Sequence, residues 1–234
     1  MTASPQTNRS ALSWQEIDLV LMDMDGTLLD LNFDNHFWLE FVPARYAKKH
    51  GLTVAQAKAE LMPRFEALKG KLEWYCLDYW SRELRLDLPG LKAEIAALIR
   101  TLPHVDDFLS AVRNAGKRLW LVTNAHPQAL ALKLERTCLQ RFFDQIVCSH
   151  RYGYPKESQA FWQALHREHP FPRERTLMID DSLPVLEASR RFGIARQIAI
   201  SRPDSSQPGR RIDGFPAVED LQCLLPPGPD GGNT

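Results

Sequence analysis

Two aspartates two residues apart, Asp23 and Asp25, follow the apolar run Leu19 to Met22 and precede Gly26 and Thr27. In an extended chain the side chains at i and i+2 point the same way, so both carboxylates reach one small space before glycine lets the chain turn. Carboxylates crowded in this way need a cation or a shared proton, because unpaired buried charges are costly. Three further segments end in groups of matching use. The run Arg118 to Asn124 ends in the hydroxyl of Thr123 and the amide of Asn124, and Thr176 to Ser182 ends in the carboxylates Asp180 and Asp181. Lys156 lies in the loop Tyr152-Gly-Tyr-Pro-Lys156, just before a helix.

These groups fit transfer of a phosphoryl group. A divalent cation takes hard oxygen ligands, which Asp23 and Asp181 supply, with Asp180 placed behind them. Such a cation lets a dianionic phosphate approach a carboxylate that would otherwise repel it. Thr123, Asn124 and Lys156, with backbone N–H groups in the turns, are the candidates to hold phosphate oxygens as charge builds in the transition state. Attack by Asp23 gives an aspartyl-phosphate, which divides the reaction into two easier steps. Asp25 is placed to protonate the leaving oxygen and then to take a proton from water.

Taken singly, each motif has a blander reading. Thr123-Asn124 and Asp180-Asp181-Ser182 are helix-cap candidates, and an isolated loop lysine is usually solvated. An Asp-x-Asp-Gly string is often half a calcium loop, but here an apolar strand precedes it and Asp34 stands where such a loop requires glutamate. The order of the four segments, each after a strand, favours the joint reading.

The elements that must position these residues alternate from Pro103 onward. Helices are expected at 105–115, 127–137, 158–167 and 183–192, and strands at 118–123, 145–148, 176–180 and 194–200. This βα alternation argues for an α/β fold with a doubly wound parallel sheet, helices on both faces and ligands at the carboxyl ends of the strands. Between the first strand and Pro103 run four helical stripes: Phe33 to Ala44, Val54 to Leu68, Leu72 to Leu84 and Leu91 to Leu102. Thr53 and Gln56 form a capping-box pair at the start of the second. The expected division is a catalytic core at 14–30 and 103–225, a helical insertion at 31–102, and disordered tails at 1–13 and 226–234.

Composition excludes several classes. Lys and Arg number 29 and Asp and Glu 29, so no global field attracts nucleic acid or anionic membrane. The expected partner is a small-molecule phosphate ester, with no nucleic acid polymer and no membrane. No run approaches the roughly 18 apolar residues of a membrane span, and the first residues carry no apolar leader. Cys76, Cys138, Cys148 and Cys223 stand far apart without a CxxC pair, so the spacing signals neither a zinc knuckle nor a redox pair. Reduced thiols point to the cytoplasm.

With its four motifs assembled, the chain resembles the haloacid dehalogenase-like hydrolase superfamily over about Ile17 to Leu221. Asp23-Met-Asp25-Gly26-Thr27-Leu28 is similar to its first motif, Thr123-Asn124 to its second, Lys156 to its third and Asp180-Asp181 to its fourth. The resemblance implies a Rossmann-like core, a small α-helical cap between the first two motifs, and Mg²⁺, with Mn²⁺ or another divalent cation as the alternative. It also implies Asp23 as nucleophile, Asp25 as general acid and base, and metal contacts from an Asp23 carboxylate oxygen, the Asp25 backbone carbonyl and Asp181. Two positions depart from the pattern: Val185 stands where an acid or amide is common, and Asp180 where many members have glycine.

The stretches Asp30 to Trp38 and Ser149 to Glu157 further resemble the bacterial GMP/IMP nucleotidases of this superfamily, soluble 5′-nucleotidases of purine monophosphates. On that reading Asn32, Asn35, His36 and Arg151 are the candidates to face the leaving group. Phe33, Trp38, Trp74, Tyr75 and Tyr79 offer rings for a purine, although aromatic residues at helical spacing mostly pack a helical core. Asp25 argues against a dehalogenase, since halide leaves without a proton. A phosphatase or phosphomutase of small sugar phosphates shares the same chemistry. A phosphoacceptor receiver domain gathers its acids differently and carries no helical insertion of this length. Either a monomer or a homodimer is compatible with the sequence.

Overall fold

The computed structural model describes residues 12–227. The expected disordered tails lie outside these residues except at Leu12, Ser13, Pro226 and Pro227. Six strands, β1 (Leu19–Met22), β2 (Arg118–Thr123), β3 (Gln145–Cys148), β4 (Thr176–Asp180), β5 (Arg196–Ile200) and β6 (Ala217–Val218), form one sheet in the order β3-β2-β1-β4-β5-β6. Every neighbouring pair is parallel. Because the chain moves outward from β1 first to one side and then to the other, a crevice opens at the carboxyl end of β1. The register sets Met22 beside Leu121 and Ile179, which brings the ends of β2 and β4 level with Asp23.

Between β1 and β2 lie α1 (Asn32–His36), α2 (Val42–His50), α3 (Val54–Glu66), α4 (Leu72–Tyr75), α5 (Leu77–Leu84) and α6 (Leu88–Glu94). The first expected helix runs unbroken from Asn32 to His50, but Phe37–Phe41 is wound as a π-helix. α3 begins with the capping box, in which the Gln56 N–H donates to Thr53 Oγ1 at 3.2 Å and the Thr53 N–H to Gln56 Oε1 at 2.9 Å. The third expected helix is broken at Cys76, whose backbone is extended (φ −87°, ψ 107°). The fourth ends early: only a 3-10 turn follows α6, and Leu102 instead donates its N–H to the carbonyl of Leu28. Phe37, Leu61, Phe65, Leu77, Trp80, Leu84 and Leu88 form an apolar cluster of this segment's own, joined by Ala129.

The remaining helices are α7 (Val105–Asn114), α8 (Pro127–Thr137), α9 (Gln159–Glu168) and α10 (Leu183–Phe192). Period-two alternation along the strands sorts their contacts. Val20, Met22, Leu119, Leu121, Leu177 and Ile179 face Val105, Phe108, Leu109 and Val112 of α7. Leu19, Leu21, Trp120, Val122 and Met178 face Phe161 and Leu165 of α9 and Leu186 of α10. Both faces are thus buried, which is why the strands read as continuous apolar runs. The last expected strand starts two residues late, at Arg196, and the two-residue β6 at the edge has no counterpart in the sequence reading. Among the described residues, no helix is long and apolar enough to cross a membrane.

Candidate active site

The Asp23 N–H donates to Ile179 O at 3.0 Å, so the ladder runs one residue past β1 before the chain turns. Gly26 makes the turn with φ +83°, and a Cβ there would stand 2.8 Å from Asp181 Cγ and 2.9 Å from Pro203 Cβ. Any side chain would therefore meet both left-handed strain and the carboxyl group of β4's loop. Gly26→Ala is expected to lower stability by about 1–3 kcal/mol and to displace Asp181, reducing divalent-cation affinity. Denaturant unfolding with and without Mg²⁺ measures both, and unchanged values for the two would contradict this role for the turn.

Oxygens of Asp23, Asp180 and Asp181 lie within 4.8 Å of one another. Lys156, itself 2% exposed, reaches into this group from the loop before α9. Its ammonium donates to Asp23 Oδ1, to Asp180 Oδ2 at 2.8 Å and to Val122 O at 3.0 Å. An ammonium has three N–H donors, so all are engaged. Lys156, expected to hold phosphate oxygens, thus clamps the acids at the ends of β1 and β4. Burial lowers the Lys156 pKa, but the Asp180 and Asp23 carboxylates outweigh it and hold the ammonium charged. Burial raises the Asp23 carboxyl to about 7 against the pull of Lys156, with Asp180 adding to the rise. Asp181 is also pushed well up, by burial and by Asp180 and Asp23; Arg210 opposes this from 3.8 Å.

Asp180 has its second oxygen, Oδ1, bonded to the Ser182 N–H at 2.8 Å. With Lys156 on the other, both Asp180 oxygens have partners within the protein. Three hard oxygen donors from like-charged, mostly buried groups fit a divalent ion such as Mg²⁺. Asn124 likewise has other partners than the expected phosphate. Its Oδ1 accepts from the Lys156 N–H at 2.9 Å and its Nδ2 donates to Glu157 Oε2 at 3.0 Å, while Tyr75 Oη donates to Glu157 Oε1 at 2.6 Å. Asn124 and Glu157 therefore fix the lysine loop, and Tyr75 ties the helical segment to it. Thr123 Oγ1 accepts from the Ala125 N–H at 3.0 Å, which leaves its own hydrogen to donate.

Asp25 does not join the carboxylate group. Its Oδ1 accepts from Lys133 Nζ at 2.6 Å, and the same ammonium donates to Asp34 Oδ2 at 2.7 Å. Asp34 Oδ1 in turn accepts from Lys92 at 2.6 Å. Both lysines are 2% exposed and lie over aromatic faces, Lys133 over Phe33 and Lys92 over Phe33 and Phe37. Burial raises Asp25 to about 6 although Lys133 opposes it. Burial also acts to raise Asp34, but Lys133 and Lys92 prevail and hold it far below the ordinary carboxylate range. The alternating row Asp25, Lys133, Asp34, Lys92 thus joins the first motif to α8, α1 and α6. Lys133 was missed in the sequence because one lysine in an amphipathic helix reads as a solvated one.

Of the expected leaving-group residues, Asn32, Asn35 and His36 share α1, and Arg151 lies in the turn after β3. Asn35 Nδ2 donates to Asp204 Oδ2 at 2.7 Å, the Asn32 N–H donates to Asp30 at 3.1 Å, and the His36 ring lies 6.3 Å from that of Phe41. Arg151 is exposed and pairs with Glu168. Trp38, Trp74 and Tyr79 pack with Phe65 and Trp80 in the core of the helical segment.

Comparison with known proteins agrees with this geometry. The chain is 41% identical over 219 residues, 92% of its length and 97% of the relative's, to the GMP/IMP nucleotidase YrfG of Escherichia coli (strain K12). It is 26% identical to the pyrimidine 5′-nucleotidase YjjG of the same organism over 158 residues, 62% of this chain and 68% of that one. In fold it resembles a HAD phosphatase from Thermococcus onnurineus, with a TM-score of 0.74 at 20% identity, covering 89% of this chain and 96% of that one. Residues 17–193 match the family model described as haloacid dehalogenase-like hydrolase, a span that takes in β1, the Lys156 clamp and the acids after β4, and the chain belongs to that family.

Proposed function

We propose that this enzyme is a Mg²⁺-dependent phosphomonoesterase that hydrolyses purine 5′-nucleotides, GMP and IMP, to nucleoside and phosphate. The observation that carries the chemistry is the Asp23 carboxylate, held by Lys156 among three acids at the carboxyl end of the central strand. The substrate rests on the likeness to a GMP/IMP nucleotidase. On this reading residues 14–30 and 103–225 are the catalytic core and 31–102 a cap, supported by the separate apolar cluster of the helical segment. Four unpaired cysteines support a cytoplasmic enzyme, as a monomer or homodimer.

Asp23 attacks phosphorus, forming the aspartyl-phosphate as the ester bond breaks. Asp25, raised to about 6, gives its proton to the departing nucleoside oxygen; water then attacks phosphorus and gives a proton to Asp25, as the Asp23–phosphate bond breaks and phosphate leaves. Asp23, Asp181 and the Asp25 backbone carbonyl would hold Mg²⁺, which when bound would neutralise charge on the phosphate. Lys156 keeps the nucleophile in place, and the Thr123 hydroxyl donates to a phosphate oxygen. Phosphate release from GMP, IMP, AMP, pyrimidine nucleotides and sugar phosphates, with and without chelator, tests the reading. GMP and IMP are expected to lead, with activity lost on chelation. Turnover indifferent to metal removal would refute the metal dependence, and preference for sugar phosphates the nucleotidase assignment.

A further inference from the structure

A second group of donors lies apart from the acids. Cys76 sits at the break between α4 and α5, His126 immediately precedes α8, and His150 occupies the turn after β3. The chain brings one donor atom from each within 4.8 Å of the others. His126 is 7% exposed, yet its Nδ1 is buried without a hydrogen-bond partner, and so is His150 Nε2. Two such orphaned nitrogens beside one thiol are unusual, because buried polar atoms are almost always bonded. The other His126 nitrogen, Nε2, lies 3.5 Å from Asp78 Oδ2, and the two rings meet edge to face at 5.2 Å. The Cys76 Sγ accepts from the Tyr79 N–H at 3.4 Å.

We infer that Cys76, His126 and His150 form a binding site for a soft divalent cation, Zn²⁺ in chemical class. Tetrahedral Zn²⁺, with bonds of about 2.3 Å to sulfur and about 2.0 Å to nitrogen, sets its ligands about 3.3–3.6 Å apart, which modest side-chain rotation within this group reaches. Ligation by His126 Nδ1 leaves Nε2–H directed at Asp78, the carboxylate partner that commonly orients a ligating histidine. Burial lowers the pKa of both imidazoles, which favours their neutral, ligating form. A cleft of about 450 Å³, bordered by Lys71, Glu73, Cys76, His150 and Pro155, gives an ion access. Thiolate and imidazole prefer Zn²⁺ or Co²⁺, whereas the all-oxygen acids prefer Mg²⁺, so donor type sorts the two ions. On binding, the Cys76 thiol releases its proton to solvent. Occupancy joins the helical segment to the loops that follow β2 and β3.

Co²⁺ added to the reduced, Mg²⁺-saturated protein tests the site by absorption. One equivalent is expected to give a thiolate-to-cobalt charge-transfer band that Zn²⁺ abolishes. Cys76→Ser and His150→Ala should each lose the band, Cys148→Ser should keep it, and Asp78→Asn should weaken Co²⁺ binding about 10–100-fold. Cys76→Ser should hydrolyse substrate normally with Mg²⁺, which shows that it is folded. No band in the parent protein, or a band that survives both Cys76→Ser and His150→Ala, overturns the proposal.

Discussion

Asp23→Asn is expected to lower kcat by about 10⁴-fold or more, the scale on which enzymes lose activity with their nucleophile. The amide keeps the volume and a donor-acceptor pair for its neighbours, so the fold should remain. Stability separates this loss from misfolding. The folded Asp23 pKa of about 7 lies above its ordinary 3.8, so in the metal-free parent its contribution is fully present below about pH 4 and lost as pH rises through 7. Asn at this position has no such titration. Metal-free Asp23→Asn should therefore match or exceed the parent in thermal stability above pH 7 while remaining inactive. Turnover above a trace would show that another group attacks phosphorus, and a stability deficit growing toward high pH would show that burial does not raise the Asp23 carboxyl as described.

Lys133→Met should cost about 3–5 kcal/mol at neutral pH, because it leaves two enclosed carboxylates without the cation between them. The cost should shrink toward pH 4. Asp25 has a raised pKa of about 6, so it is neutral at low pH and no longer needs the lysine. Asp34, with its depressed pKa, keeps the stability it draws from the lysines down to about pH 4 and loses it only at lower pH, so it does not blur the comparison between pH 4 and 7. Activity should respond separately. Without Lys133 the Asp25 pKa rises further, so the alkaline limb of the kcat/KM profile, which needs Asp25 protonated, moves to higher pH. Lys133→Met/Asp34→Asn should recover part of the stability, since it removes one stranded charge. Urea unfolding at pH 4 and 7, beside pH–rate profiles, decides the matter; equal losses at the two pH values would rule out the charge row as the cause.

What the sequence disclosed and what it concealed follow from chain locality. Asp23, Thr123 and Asp180 each end an apolar strand, and parallel strands end together at one edge, so their order along the chain foretold their meeting. Lys156 was legible by its place between two such strands. The partner of Asp25 was not, because Lys133 lies 108 residues away on a helix whose pattern resembles any surface helix. Asp34 reads in the sequence only as a calcium-loop position, although in the fold it links the two lysines of the charge row. Cys76, His126 and His150 have no common spacing, and only the break at Cys76 and the turns after β2 and β3 bring them together. Aromatic residues at helical spacing met the general expectation: Trp38 and Trp74 face each other in a helical core. Asn35 and Arg151 found carboxylate partners of their own.

The three-way grip of Lys156 carries one more consequence, for substitution at that position. Acceptors just after β1 and from β2 and β4 meet a single nitrogen, which the three donors of an ammonium can serve together and a flat guanidinium, with its donors on separate nitrogens, cannot. Arginine, the usual conservative exchange, would thrust a planar fork against the main chain at Val122 and spread its charge away from the acids. Here, then, lysine is required by shape as much as by charge, and its nitrogen serves as a fixed spacer that sets how far apart three strand ends stand.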